Sequence, residues 1–453
     1  MTSYNRGDRN QKRPWFILLM LLVFSIVTYL DRVNISIAAK YIMPEYGFKS
    51  VEMGTIFSAL VFGYALFQIP GGWLGDRLGP RKVLTVAVIW WSIFTALTAV
   101  AGKAPLTSIM GTLNSFILIR FLIGVGEGMA VPTYNRVIAN WMAPTERAFA
   151  SSFVLSGMGI GGAITPPLIA WVMITLGWQA SFYICALVGI IVGVIWYRYT
   201  TDRPQGRLLT DDRVEAGIAK EDPGSSETEG EILGNKKVPW KAILTDSNVW
   251  LITLSQIFAG YVASVFTYWF YLYLVDVRGF SILGGSFYAM GPFIAAALLP
   301  PFGGILSDRL VQKYGKRLGR RGTVIGFMSL SAMLVLLGDR VPNPYVAILM
   351  FSLGAGCVFA AITSYWATVV DITKQFSGTV TGITVMGANI GGTVAPTLTP
   401  MIAKHFGWTA ALDFAALAAF IAGIIWLVIR PEREVLGDVP QYARSKVSTA
   451  GLS

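Results

Sequence analysis

The chain is dominated by long apolar runs, and these limit what it can fold into more than any other feature. About 20 apolar residues cross a bilayer as a helix, and a helix satisfies its own backbone polar groups in lipid. Twelve such runs can be read, at 15–40, 51–75, 83–101, 112–134, 146–172, 178–198, 248–274, 284–307, 322–338, 343–370, 377–402 and 408–429. Charged residues make up 13% of the chain, where a soluble domain carries about 25%. The expected fold is an all-α membrane protein of twelve transmembrane helices.

Arg6, Arg9, Lys12 and Arg13 precede the first run in the manner of a signal peptide. The run is too long for one and lacks a small-residue cleavage site, so it is expected to be a retained helix. Cys185, Cys357 and His405 are too few and too scattered for a disulfide framework or a Cys/His metal site.

Sorting the basic residues by these boundaries gives an orientation. Lys40, Lys49, Lys103, Arg278, Arg340 and Lys404 fall on one side, Arg32 and Arg120 lie inside spans, and all the others share the side of the termini. Positive loops stay in the cytoplasm, which predicts cytoplasmic termini and a plasma-membrane location, the inner membrane of a bacterium. The net charge of +11 is then a topology signal with some attraction to lipid. No basic face with interleaved aromatics suggests nucleic acid.

Segment 200–246 is the one long polar stretch. Its core, EDPGSSETEGE at 221–231, cannot bury enough apolar surface to fold alone. It is expected to be a cytoplasmic linker between an N-terminal six-helix bundle (1–199) and a C-terminal one (247–453).

The two parts repeat each other. GMGIGGAITPPL at 157–168 aligns with GANIGGTVAPTL at 387–398, and LGWQASFYI at 176–184 with FGWTAALDF at 406–414, both at a shift of 230. GGWLGDRLG at 71–79 aligns with GGILSDRLV at 303–311. Parallel repeats of this kind imply two pseudo-symmetric bundles with a site between them at mid-depth.

GGWLGDRLGPRK at 71–82 and its second copy resemble the loop signature of the major facilitator superfamily. YLDRVNIS at 29–36, GYALFQIPGGW at 63–73 and IRFLIGVGEG at 119–128 resemble its anion:cation symporter branch, with bacterial galactonate, glucarate and hexuronate carriers, sialin and the vesicular glutamate carriers. The resemblance implies that the arginine of the first helix, and the arginine and glutamate of the fourth, line the substrate and proton path. In this sequence these are Arg32, Arg120 and Glu127.

A charge at mid-bilayer costs about 2.5–3.5 kcal/mol on insertion scales, so each one needs a reason. Asp31, Arg32, Arg120 and Glu127 stand inside spans. Arg32 and Arg120 are expected to grip an anion's carboxylate, since a guanidinium stays charged and offers two parallel hydrogen bonds. Asp31 and Glu127 are the expected proton carriers. Burial disfavours a charged carboxylate and a nearby arginine favours it, so anion binding and proton binding can communicate. Alternatively, the four charges only neutralise each other across a helix interface.

Tyr64 and Gln68, one turn apart, could meet substrate hydroxyls, as could Tyr268, Ser364, Tyr365 and Asn389 in the second half. Asp76, Arg77, Asp308 and Arg309 sit at helix ends, where an acid can latch to a neighbour in one state only, and are assigned to gating. The fifth span lacks the G-x-x-x-G-P-x-x-G-G pattern associated with antiporters.

These residues point to a monomeric carrier that imports a small organic anion, a sugar acid, with protons. Neither a cofactor nor a metal is expected. The rivals are a sodium-coupled or uncoupled anion or phosphate carrier, and a nutrient sensor that binds without transporting. No phosphate loop, nucleophile–base pair or metal set suggests an enzyme.

Overall fold

The computed structural model describes residues 6–142, 146–202, 240–373 and 377–433, and the side chains at 6–13, 76 and 148 fall outside that description. Ten of its helices are long and apolar enough to cross a membrane. Two of these, Gly291–Arg340 and Ser377–Ile425, are each bent by one glycine with positive φ, Gly315 and Gly407, and so cross twice. Twelve passes result.

In chain order they are α1 (Arg6–Tyr46), α2 (Ser50–Leu78), α3 (Pro80–Thr98), α4 (Thr112–Gly128, continued by Ala130–Trp141), α5 (Arg147–Leu176) and α6 (Trp178–Tyr199). After a short helix Trp240–Thr245 come α7 (Ser247–Tyr268, continued by Phe270–Leu272 and a π-turn Tyr273–Val277), α8 (291–314) and α9 (316–340). Then follow α10 (Pro344–Thr373), α11 (377–406) and α12 (408–425). Both ends of the described chain lie on one face, called the terminal face, and the opposite one is the distal face.

The helices outrun the apolar cores that announced them. The first begins at Arg6 rather than 15, and the ninth at 316 rather than 322, because a helix continues into the interface once nucleated. Residues 203–239 of the expected linker lie outside the described residues, and Trp240–Thr245 within it is helical.

The repeat is visible in the backbone. Gly177 and Gly407, aligned in the two copies, both take positive φ, 87° and 86°, and turn the chain from one span into the next. A side chain would strain that conformation, so glycine is needed at both places. Helix packing repeats too. A Cβ on Gly157 or Gly161 of α5 would meet the carbonyl oxygens of Leu22 and Ile26 on α1, at 2.6 and 2.7 Å. In the second copy, Gly387 and Gly391 of α11 face the carbonyls of Thr253 and Ile257 on α7, at 2.5 and 1.8 Å. Small residues thus let these helix pairs lie backbone to backbone, the usual means of association where lipid removes the hydrophobic drive.

The halves meet along a seam of α2 with α11, α5 with α8, and α1 with α7. Gly54 abuts Pro396, Gly159 abuts Ala297, and Phe57 stacks on Tyr268. Ser58 and Thr397 share a hydrogen bond of 2.9 Å, and Ser36 donates to the Tyr268 carbonyl at 2.7 Å.

Gly391→Val should therefore lower the thermal midpoint in detergent by overpacking α7 against α11, a cost of about 1–3 kcal/mol. Gly304→Ala, where a Cβ meets nothing within 4 Å, should leave it unchanged or higher. Equal midpoints for the two variants would contradict the close-packing account.

Candidate functional site

The charged residues of α1 and α4 converge inside the membrane, each held by the helix that carries it. Arg32 Nε donates to Glu127 Oε2 at 2.7 Å, and the Glu127 side chain is 0% exposed. The Arg32 guanidinium also lies 4.3 Å from the ring centroid of Tyr64 and 5.7 Å from that of Tyr29. Two aromatic faces and one carboxylate therefore replace its water. Breaking a buried ion pair by removing one partner costs about 3–5 kcal/mol, so this pair fixes α1 against α4.

Arg120 is the opposite case. It lies two turns before Glu127 on α4, is 0% exposed, and its Nε, Nη1 and Nη2 have no hydrogen-bond partner among the described residues. Asp31, Glu127 and Tyr268 interact with it electrostatically but do not bond to it. A guanidinium carries five donors in a planar fork that matches a carboxylate. Glu127 Oε1 likewise lacks a partner among the described residues. The cluster is thus a half-satisfied polar network, with one arginine neutralised and one offering all its donors.

Asp31 is 1% exposed, with both oxygens unpartnered among the described residues. Consecutive residues differ by about 100° around a helix, so Arg32 can turn to the seam while Asp31 does not. It feels the charges of Glu127 and Arg120 on α4, lies within hydrogen-bonding reach of Thr95 on α3, and neighbours Cys185 on α6.

The other sequence-expected binding residues divide. Tyr64 presents its ring to Arg32. Asn389 Nδ2 donates to Gln68 Oε1 at 3.2 Å, so these two amides bridge the seam between α2 and α11. Tyr268 stacks on Phe57 and feels the charges of Arg32 and Arg120. Ser364 is buried with its hydroxyl unpartnered among the described residues. Tyr365 does not join the cluster: its hydroxyl is shared with Ser255 Oγ at 2.5 Å, and its ring packs edge-on against Trp426. In this structure the polar tip of the tyrosine finds its partner within its own half, at the packing of α7, α10 and α12.

At the terminal face, Arg77 is exposed and covers the Trp73 ring, and Arg309 is exposed. Asp308, 64% exposed, pairs with Arg320 at 2.8 Å, and Arg320 also reaches Asp371 and Ser307. The side chain of Asp76 lies outside the described residues. At the distal face Lys40 pairs with Asp276 on the π-turn of α7, tying the two halves together.

Sequence reasoning passed over Tyr29, Ser36, Lys40, Ser58, Thr95, Tyr134 and Asp276. Tyr29 was recoverable, since it precedes Arg32 by one turn on the same face. Contacts made across the seam leave no such signal.

A helical membrane protein built of two repeated six-helix halves has the architecture of a carrier. The model of the Major Facilitator Superfamily matches residues 21–387 and 315–447, and the chain belongs to that family. It is 30% identical over 427 residues to the hexuronate transporter of Bacillus subtilis, covering 93% of this chain and 95% of that protein. It is 29% identical over 400 residues to a probable sulfoacetate transporter of Cupriavidus necator, covering 87% and 89%. Among solved structures, a bacterial homologue of the human lysosomal transporter Spinster aligns with a TM-score of 0.73 at 17% identity, over 92% of this chain and 97% of that one. The fold is that of a transporter, and the sequence relatives carry organic anions.

Lys40→Glu should loosen the distal seam, whereas Lys40→Asp combined with Asp276→Lys should restore it. Alkylation of an engineered cysteine, Ser58→Cys, by a membrane-impermeant reagent applied from the distal side reads this out. Equal labelling of the single and the paired variants would show that the ion pair does not hold the seam closed.

Proposed function

We propose that this organic-anion transporter imports a sugar-acid-type anion together with protons by alternating access, from the bacterial inner membrane with both termini cytoplasmic. The observation that carries this reading is Arg120, fully buried with every guanidinium nitrogen unpartnered among the described residues. Leaving such a group unsatisfied is costly, and a carboxylate accepting two of its donors relieves that cost. The hexuronate and sulfoacetate relatives support an anion with a carboxylate, and the amides Gln68 and Asn389 suit the hydroxyls of a sugar acid.

Coupling follows from competition. Arg32 is held by Glu127, and an arriving carboxylate seated on Arg120 competes for it. A carboxylate that loses its guanidinium in a dry site takes up a proton. Loading therefore replaces the charge of Glu127 by that of the anion's carboxylate, so the anion enters without changing the net charge of the buried cluster, and the cost of carrying that cluster through reorientation does not rise. Linkage works both ways: protonation of Glu127 frees Arg32 and strengthens anion binding. Asp31 is a second proton acceptor behind this pair. Sodium would need several oxygen ligands and would sit beside two arginines, which disfavours it.

Lys40–Asp276 and Ser58–Thr397 link the halves on the distal side, while Arg77 and Arg309 are exposed at the terminal face. The arrangement suits a carrier closed outward, with Asp76, Arg77, Asp308 and Arg309 as the elements that re-pair when the terminal side closes.

Uptake into proteoliposomes, screened over hexuronates, hexonates, glucarate and sulfoacetate with and without a pH gradient, tests the reading directly. Accumulation should follow an inward proton gradient, and uptake indifferent to it would make the protein an uncoupled carrier. Arg120→Lys should raise the binding constant by at least about tenfold although the charge is kept, since an ammonium cannot form the fork. Wild-type affinity in that variant would remove Arg120 from the anion site. Glu127→Gln should retain anion exchange and lose gradient-driven accumulation. Preserved accumulation would move the coupling proton to Asp31.

A further inference from the structure

α2 and α11 belong to opposite halves and touch where Gly54 abuts the Pro396 carbonyl. One turn nearer the distal surface they part, and a cleft of about 580 Å³ opens between the start of α2 and the end of α11. Pockets for small molecules span about 300–1,000 Å³, so the space suits one such ligand. Lys49 and Glu52 stand on its α2 side, Lys404 and His405 on its α11 side, and Met43 of α1 and Trp408 of α12 complete the wall.

The lysines are the informative residues. Elsewhere on the distal face basic groups are neutralised within the protein, Lys40 by Asp276, Arg278 by Asp339 and Arg340 by Asp413. Lys49, Lys103 and Lys404 have no ion-pair partner among the described residues. Lys49 and Lys404, from opposite halves, line the same cleft. The acid beside them, Glu52, accepts the backbone N–H of Lys49 at 2.7 Å, a bond that fixes the start of α2. Ser50 and Val51 follow, and the N–H groups of a helix's first turn have no partner within the helix. Two ammonium groups, an imidazole N–H and a helix start therefore outweigh one carboxylate.

The cleft adjoins the contacts that close the distal side. Trp408 packs against Trp269 and Tyr273, with ring centroids 5.9 and 6.0 Å apart. Tyr273 begins the π-turn that carries Asp276, the partner of Lys40, and Met43 lies one turn beyond Lys40 on α1. An occupant seated on Trp408 and Met43 thus rests on neighbours of that closing pair. Opening the distal seam parts α2 from α11, and so draws Lys49 and Lys404 away from any ligand they share.

We infer that this cleft binds a small organic anion with two charged ends, a dicarboxylate in its simplest form, which bridges the halves through Lys49 and Lys404. A monoanion neutralises one lysine and does not bridge. A ligand that contacts both halves in one state only favours that state, so the dianion holds the distal side closed. The cleft is a regulatory site apart from the Arg32, Arg120 and Glu127 cluster, and distal dianion slows reopening on that side. The inference does not depend on what the cluster carries.

Alkylation of Ser58→Cys in sealed vesicles, by a membrane-impermeant reagent on the distal side, reads the opening. D-glucarate added on that side should slow labelling, and D-glucuronate, with one charge, should do so only at higher concentration. Lys49→Gln and Lys404→Gln should each raise the half-protective concentration of D-glucarate about threefold, and together about tenfold, the scale of exposed ion pairs. Lys103→Gln, outside the cleft, should leave it unchanged. All three lysines are exposed, so these variants keep the fold. Protection should also persist with Arg120→Lys, which alters the cluster and not the cleft. Protection lost in Arg120→Lys but intact in the double lysine variant would assign the effect to the cluster and overturn the inference. No protection of the wild type by D-glucarate would overturn it as well, and equal protection by sulfate would overturn the bridging organic ligand. The readout is conformational, so a wild type that moves no organic anion would sink the proposed function and leave this result standing.

Discussion

The ion pair between Arg32 and Glu127 is the constraint on which the rest of the site depends. It fixes α1 against α4 at mid-membrane, sets Arg32 between the rings of Tyr64 and Tyr29, and leaves Arg120 without a partner among the described residues. Glu127 lies seven residues, about 10 Å, beyond Arg120 along α4, so the carboxylate that holds Arg32 does not also satisfy Arg120. The imbalance is an electrostatic demand for an anion, built from residues that would otherwise be too costly to keep in a bilayer.

Packing turns that demand into a place. Paired glycines on α5 and α11 bring backbones into contact with α1 and α7, which leaves little side-chain slack between the helices of each half. The two units touch along a seam sealed on the distal side by Lys40–Asp276, Ser58–Thr397 and the Phe57–Tyr268 stack. Gln68 and Asn389 meet across the same seam, so the amides proposed to meet the anion's hydroxyls also link the halves. On the proposed function, occupancy and conformation are coupled through the same atoms.

Much of this architecture was legible in the residues. Apolar runs predict the spans, the shift of 230 predicts matching turns at Gly177 and Gly407, and the misplaced charges single out Asp31, Arg32, Arg120 and Glu127. Their partners were not legible, because pairing depends on the rotation of each helix about its axis, which apolar periodicity leaves open in a span that is apolar all round. That freedom separates Asp31 from Arg32 despite their adjacency. It also sets Tyr365 against Ser255 and Trp426. The π-turn at Tyr273–Val277, which sets Asp276 opposite Lys40, has no sequence signal of its own.

The central claim is that an anion and Glu127 compete for Arg32, so that binding takes up a proton. Calorimetric titration of the purified carrier with D-glucuronate at one pH, in buffers of different ionisation enthalpy, counts the protons exchanged per anion bound. The account predicts net proton uptake that disappears in Glu127→Gln while anion binding persists. Binding without proton uptake in the wild type, or uptake that survives intact in Glu127→Gln, would contradict it.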